Sequence, residues 1–399
     1  MAIATLTKWE AKVFDRIAAK IEQNERLTSE EGLYLLTEAD VMDIGQLAQK
    51  VRHRMHPGNQ VTFVVDSNPN YTNVCVADCL FCAFYRRPGD KEGYTLSVEQ
   101  VMEKIKSAAD QGATTVLLQG GLNPALQLDY YTSLIRETRS RFPKITPHFF
   151  TASEVLTMAD VSGKSIRAVL TALKEAGQVS LPGGGAEVLS EYVRKRISPK
   201  KNPNDTWIIV HREAHKLGFK STATMMYGHV DRPEDWVEHF NRVRDLQDET
   251  GGFTAFIPWS FKPGHSALEK KIPVGKGPST YLRMLAASRL YLDNIPHIQA
   301  SWFSEGKKVG QISLHFGADD FGGTLIDENV HKATGHVNTT TMDYTLQMIR
   351  EAGFIPAQRT TLYDILKVYS KDVIPERLHR GSIGNDSDGF PLTTAGMTT

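Results

Sequence analysis

The sequence predicts an α/β fold: a parallel (β/α)8 barrel of the TIM type, with a helical extension before it and a polar tail after it. Two observations carry this. Short β-rich runs ending in glycine or small polar residues recur along most of the 399 residues, with amphipathic stretches between them. That alternation calls for parallel strands joined by crossover helices. The runs number about seven or eight, which fits a closed eight-unit barrel; a six-unit partial barrel is the alternative.

Residues 1–57 read as helices. The opening MAIATLTKWEAKVFDRIAAK has neither a long apolar core nor a cleavage site, so it reads as a helix and not a signal peptide. Thr28 precedes Glu31 by three positions, the spacing of a capping box. The barrel is expected over 58–370. It opens with the apolar run Val61 to Val65, which breaks into Asp, Ser, Asn and Pro, as a strand entering a loop does. SVEQVMEKIKSAADQG has helical spacing and leads into TTVLLQGG. ITPHFFT, QVSLPGGG, KSTATMMYGH, GGFTAFIPWSF and HIQASWF are the later strand ends. Residues 371–399 are polar and aperiodic and read as a tail.

Composition narrows the function classes. Lys plus Arg equals Asp plus Glu at 46 each, so nothing suggests nucleic acid or an anionic membrane as partner. No apolar run approaches the ~20 residues that span a bilayer, and the expected compartment is the cytoplasm. In a barrel of this kind the chemistry lies at the C-terminal ends of the strands. The cysteine loop, QGG, PGGG, YGH and PWSF all follow strands, so they should converge on one mouth.

Only three cysteines are present, Cys75, Cys79 and Cys82, all in one loop. An odd, clustered set makes a poor disulfide framework and a good metal-ligand set. Thiolates are the natural ligands of iron–sulfur clusters. A cubane has four irons, so three cysteines leave one iron open to an exogenous ligand. A structural zinc, completed by His53 or His56, is the bland alternative, which would make the chain a zinc-stapled binding module. It fits badly, because zinc ligands usually come as a CxxC and a distant second pair.

The spacing Cys75-x3-Cys79-x2-Cys82, with Phe81 before the last cysteine, resembles the signature of the radical S-adenosylmethionine superfamily. The resemblance implies a 4Fe–4S cluster whose open iron is chelated by S-adenosylmethionine, and reductive release of a 5′-deoxyadenosyl radical. It also implies that Gln119-Gly120-Gly121 approaches the amino group of that cofactor, although this chain lacks the Glu often found after the glycines. Glu187, after the glycines of LPGGG, is then expected at the cofactor ribose or a polar substrate group. Arg194, two helical turns on, has the fork geometry to pair the methionine carboxylate; a solvated surface arginine is the alternative.

Longer segments, NYTNVCVADCLFCAFYR, ATMMYGHV, LQDETGGFTAFIPWSF, GKKVGQISLHFGADDFGGT and GFIPAQR, resemble the menaquinone (futalosine) branch of that superfamily. Trp259-Ser260 after Ile-Pro, with GFIPAQR, favours the cyclase of that branch over its sister, aminofutalosine synthase. The implied substrate is dehypoxanthine futalosine. The radical would take hydrogen from the ribose C4′, and the carbon radical would close onto the benzoate ring. A flavodoxin or ferredoxin is the implied electron donor. His229 and Asp320 are candidate bases for the final proton. Trp259 is a candidate wall against the substrate and Asp319 a candidate hydroxyl binder; core packing and helix capping are the respective alternatives. His211 and His215 lack the Glu of a zinc protease motif and read as a helix-surface or satisfied pair. Gly275-Lys276-Gly277 lacks the upstream glycine of a phosphate loop.

Overall fold

The computed structural model describes residues 2–201 and 203–370, with backbone only for residues 2–11, 204 and 331. The expected tail, 371–399, lies outside the described residues. The chain begins with three helices, Ala2–Glu22, Ser29–Thr37 and Val41–Met55. The capping box forms: Thr28 accepts the Glu31 N–H, and the Glu31 carboxylate accepts the Thr28 N–H at 2.9 Å. Helix Val41–Met55 packs on the barrel helix Pro278–Tyr291. Glycines permit the approach, since a Cβ on Gly32 would sit 2.5 Å from the Tyr291 ring and one on Gly45 2.6 Å from Phe316.

The strands are β1 (Gln60–Val64), β2 (Asp66–Ser67), β3 (Thr115–Leu118), β4 (Thr146–Phe149), β5 (Ser180–Leu181), β6 (Lys220–Tyr227), β7 (Phe253–Ser260), β8 (His297–Ile298), β9 (Asp320–Gly323), β10 (Ile355–Arg359) and β11 (Ile365–Val368). Strands β2 to β8 pair in chain order as one parallel sheet. The sheet closes on itself. Asp319 N donates to Ile298 O and Ala300 N to Asp320 O, which joins β8 to β9. Strand β9 pairs in parallel with β1, which runs on into β2. With β1 and β2 counted as one strand interrupted at Val65, the ring has eight members, as the βα rhythm requires.

Strand β10 is an addition to that ring. It pairs in parallel with β1, Gln60 opposite Ile355 to Phe63 opposite Gln358. It enters at the strands' N-terminal end, where Thr361 meets Thr115 of β3 at 2.7 Å between hydroxyls. The chain then turns and leaves as β11, antiparallel to β10. At that turn the Tyr363 ring stacks on His297, centroids 3.7 Å apart. Residues 359–363 thus floor the barrel.

Alternation sorts the side chains. Val61, Phe63 and Val65 are buried in the apolar core, whereas Val64 and Asp66 line the barrel interior.

Candidate active site

A cavity of ≈ 330 Å³ occupies the barrel interior towards the strands' C-terminal ends. Its wall follows the two-residue period of the strands: Val64, Asp66 and Asn68; Thr115, Leu117 and Gln119; Thr222 and Thr224; Ile257 and Trp259. Arg359, Thr361 and Tyr363 close it from below.

The cysteine loop leaves β2 on the mouth side. Backbone bonds hold it: Cys75 N to Arg86 O at 2.8 Å, Val76 N to Leu122 O at 3.1 Å and Leu80 N to Ile197 O at 2.8 Å. Asp78, with φ +36°, binds Lys200 at 2.8 Å and Arg87 at 2.9 Å. All three cysteines are free thiols; Cys79 is buried and the others half-buried. Burial pushes the Cys79 thiol up to about 12 and raises Cys82 as well. Such thiols hold their protons until a metal displaces them. The residues fit a cluster: three thiols share one loop, and Phe81 within it lines the cavity.

Gln119 lines the cavity, and the two glycines after it let the cysteine loop lie on the end of β3. A Cβ on Gly121 would stand 2.2 Å from the Val74 carbonyl oxygen and 2.9 Å from Cys75 Cβ; one on Gly120 would enter the Tyr71 ring. Pro182, Gly183, Gly184 and Gly185 form the facing wall, where Gly183 presses on the β6 backbone. Glu187, at φ +45°, reaches the cavity and is ion-paired with Lys201. Burial opposes its ionisation, yet Lys201 and Arg194 hold the carboxyl below its ordinary range. Arg194 is buried and not solvated; it donates to the carbonyls of Gly185 and Ala186 at 3.1 and 3.3 Å, stiffening the glycine turn from behind.

The two candidate bases and one of the two candidate substrate binders are not on the cavity wall. The His229 side chain is fully buried: Nε2 lies 2.9 Å from Met226 O, and Nδ1 lies 2.8 Å from Asp231 Oδ1 and 2.8 Å from Val230 N. Gly228 at φ +90° turns the chain back and folds that ring away. Asp320 Oδ2 accepts from Thr62 Oγ1 at 2.5 Å and Oδ1 from Gly322 N at 2.8 Å, and both oxygens take Arg359. Asp319 lies at the opposite end of the barrel, paired with Arg289, His297 and, at 3.3 Å, His56. That position also removes His56 from any zinc site on the cysteine loop, since the loop lies at the mouth. His211 is a buried core histidine whose Nδ1 shares the Ser221 hydroxyl with His215, while its Nε2 is left without a hydrogen-bond partner.

Other wall residues were not singled out from sequence. His148 bonds Ser180 Oγ at 2.7 Å through Nδ1, and burial, with Arg359 nearby, takes it down to about 3, so its ring is neutral. Asp66 is buried, with Oδ1 accepting Leu325 N at 2.8 Å. Gly323 leaves room for this carboxylate, because a Cβ there would stand 2.1 Å from Oδ2. Burial pushes Asp66 up to about 6, against the Leu325 N–H and Arg359 and with the help of Asp320. Strand parity was the available signal: Asp66 is two residues beyond inward-facing Val64.

Residues 69–243 match the radical SAM superfamily, and residues 250–372 match the CofH/MqnC C-terminal region. The chain is 44% identical to cyclic dehypoxanthine futalosine synthase of Halalkalibacterium halodurans, across 91% of this chain and 98% of that protein. It is 45% identical to 5-amino-6-(D-ribitylamino)uracil–L-tyrosine 4-hydroxyphenyl transferase of Methanopyrus kandleri, across 78% of this chain and 86% of that one. The FeFe-hydrogenase maturase HydG from Carboxydothermus hydrogenoformans has the same fold, with a TM-score of 0.70 at 15% identity over 91% of this chain and 83% of that chain.

Proposed function

From the family to which this chain belongs, the radical S-adenosylmethionine superfamily in the branch with the CofH/MqnC C-terminal region, we propose that it converts dehypoxanthine futalosine to cyclic dehypoxanthine futalosine in menaquinone biosynthesis. The observation that carries this is a three-cysteine loop at the mouth of a barrel cavity, in a chain that spans 98% of a cyclic dehypoxanthine futalosine synthase. The family's cofactors, a 4Fe–4S cluster and S-adenosylmethionine, together supply a 5′-deoxyadenosyl radical when bound.

The chain's own residues do the remaining work. Cys75, Cys79 and Cys82 hold the cluster. Phe81, Gln119 and Glu187 face S-adenosylmethionine from the cavity wall, and Gly120 and Gly121 admit it close to the backbone. Arg194 acts behind them by fixing the Gly185–Ala186 turn. Trp259 packs against the planar benzoate and holds the ribose C4′ towards the mouth. The enclosed barrel excludes water from the carbon radical. Asp320 positions Arg359, and His229 holds the turn after β6. A flavodoxin or ferredoxin is the proposed electron donor. Among the described residues no helix is long and apolar enough to cross a membrane.

The test uses anaerobically reconstituted protein with S-adenosylmethionine, dithionite and dehypoxanthine futalosine, read by mass spectrometry. The expected result is 5′-deoxyadenosine with a product two hydrogens lighter than the substrate. Parallel reactions offer the enolpyruvyl benzoate of aminofutalosine synthase, or L-tyrosine with 5-amino-6-(D-ribitylamino)uracil. Turnover of either pair, with dehypoxanthine futalosine untouched, overturns the proposal.

A further inference from the structure

Ring closure onto an aromatic carbon leaves a hydrogen on that carbon that must depart as a proton before aromaticity returns. The residues first suspected of taking it are sealed from the cavity. Of the titratable groups on its wall, Glu187 is held by Lys201, and His148 engages Ser180 and is too weak a base at about 3. Glu328, half-buried and beside Asn68, turns Oε1 to the Val330 N–H. Asp66 stands one layer deeper, in the gap that Gly323 leaves, with Oδ1 fixed by Leu325 N at 2.8 Å.

Resting on the cyclisation reading, we propose that Asp66 is the proton acceptor that completes it. The ring C–H bond breaks and its proton passes to an Asp66 carboxylate oxygen. The bonding pair restores the aromatic sextet, and the unpaired electron leaves to a one-electron acceptor of the iron–sulfur class. The surroundings suit a base that works near neutrality. The charged groups facing Asp66 are Asp320 on β9 and Arg359 on β10, which act in opposite senses; its neighbours on β3 are uncharged. Burial then decides, and Asp66 titrates at about 6.

The experiment uses the reconstituted holoenzyme and substrate deuterated at C4′. In Asp66→Asn, deuterium should still enter 5′-deoxyadenosine, while cyclised product per deoxyadenosine falls by about 10²–10⁴-fold. Asp66→Glu should recover part of that ratio. In the wild type the ratio should rise with pH through a midpoint near 6, a readout that needs no variant to fold. Product at the wild-type ratio in Asp66→Asn, or a wild-type ratio flat across that pH, overturns the assignment. So does loss of deuterium transfer in Asp66→Asn, which would make Asp66 a binding or structural residue. Absence of deuterium transfer in the wild type instead sinks the cyclisation reading itself.

Discussion

Asp66 and Asp319 are both buried carboxylates of the barrel wall, and their environments push them in opposite directions. Asp319, at the floor, is gripped by Arg289 and His297, with His56 at 3.3 Å, and its carboxyl lies far below the ordinary range. Asp66, facing the cavity, accepts the Leu325 N–H at 2.8 Å and feels Arg359, which is bonded to Asp320, only at a distance, so burial holds it up at about 6. Burial acts on both in the same sense; the partners decide the sign. The floor satisfies its charges and closes, while the cavity keeps a carboxylate poorly compensated, as a site that must exchange a proton requires.

The sharpest way to break the contrast is at the mouth. Cys79→Ala should abolish turnover and the iron–sulfur absorbance while leaving the melting temperature of the apo chain almost unchanged; full activity would refute the cluster assignment. At the floor, Asp319→Asn leaves Arg289 buried without its counter-charge. We expect it to cost about 3–5 kcal/mol at pH 7, measured by urea unfolding. Because the folded carboxyl is depressed, its stabilisation is present above the unfolded value near 4 and disappears as pH falls below that, so the deficit should shrink in acid.

The same substitution at Asp66 should act with the opposite sign. A raised carboxyl carries a cost above its folded value that vanishes below its unfolded one. Asp66→Asn should therefore stabilise the fold by on the order of 1–3 kcal/mol above pH 6, and the gain should be gone near pH 4. Destabilisation at every pH would mean that the Leu325 N–H bond, not the charge, governs this position. The smallest effect is expected at Trp259. Trp259→Ala should raise the substrate KM roughly tenfold, the loss of about 1.4 kcal/mol of aromatic packing. Its substrate-free release of deoxyadenosine should be unchanged; a parallel collapse of that release would move Trp259 to the cofactor side.

Much of this was legible in the sequence because it was local. The βα rhythm, the Thr28–Glu31 box and the cysteine loop are each written within a few residues. Trp259 and Gln119 were legible as strand ends and reach the wall by parity. What escaped depended on pairings across the chain. Nothing near Asp320 announces Arg359, 39 positions on, which turns that acid from a candidate base into an anchor. Lys201, 14 positions beyond Glu187, pairs with it and is largely shielded from solvent. His229 misled because its direction depends on one glycine dihedral, Gly228 at φ +90°.

The pairing of β1 with β10 sets the order of events during synthesis. Gln60 finds its partner Ile355 only after nearly three hundred further residues have been made. A ribosome adding roughly 5–20 residues per second therefore leaves the first strand without β9 and β10 for tens of seconds, with Val61 and Phe63 still in want of cover. Entropy makes so distant a contact slow to form. The floor is thus the last part of the barrel to be completed, and the nascent chain stays vulnerable to aggregation and proteolysis until it forms.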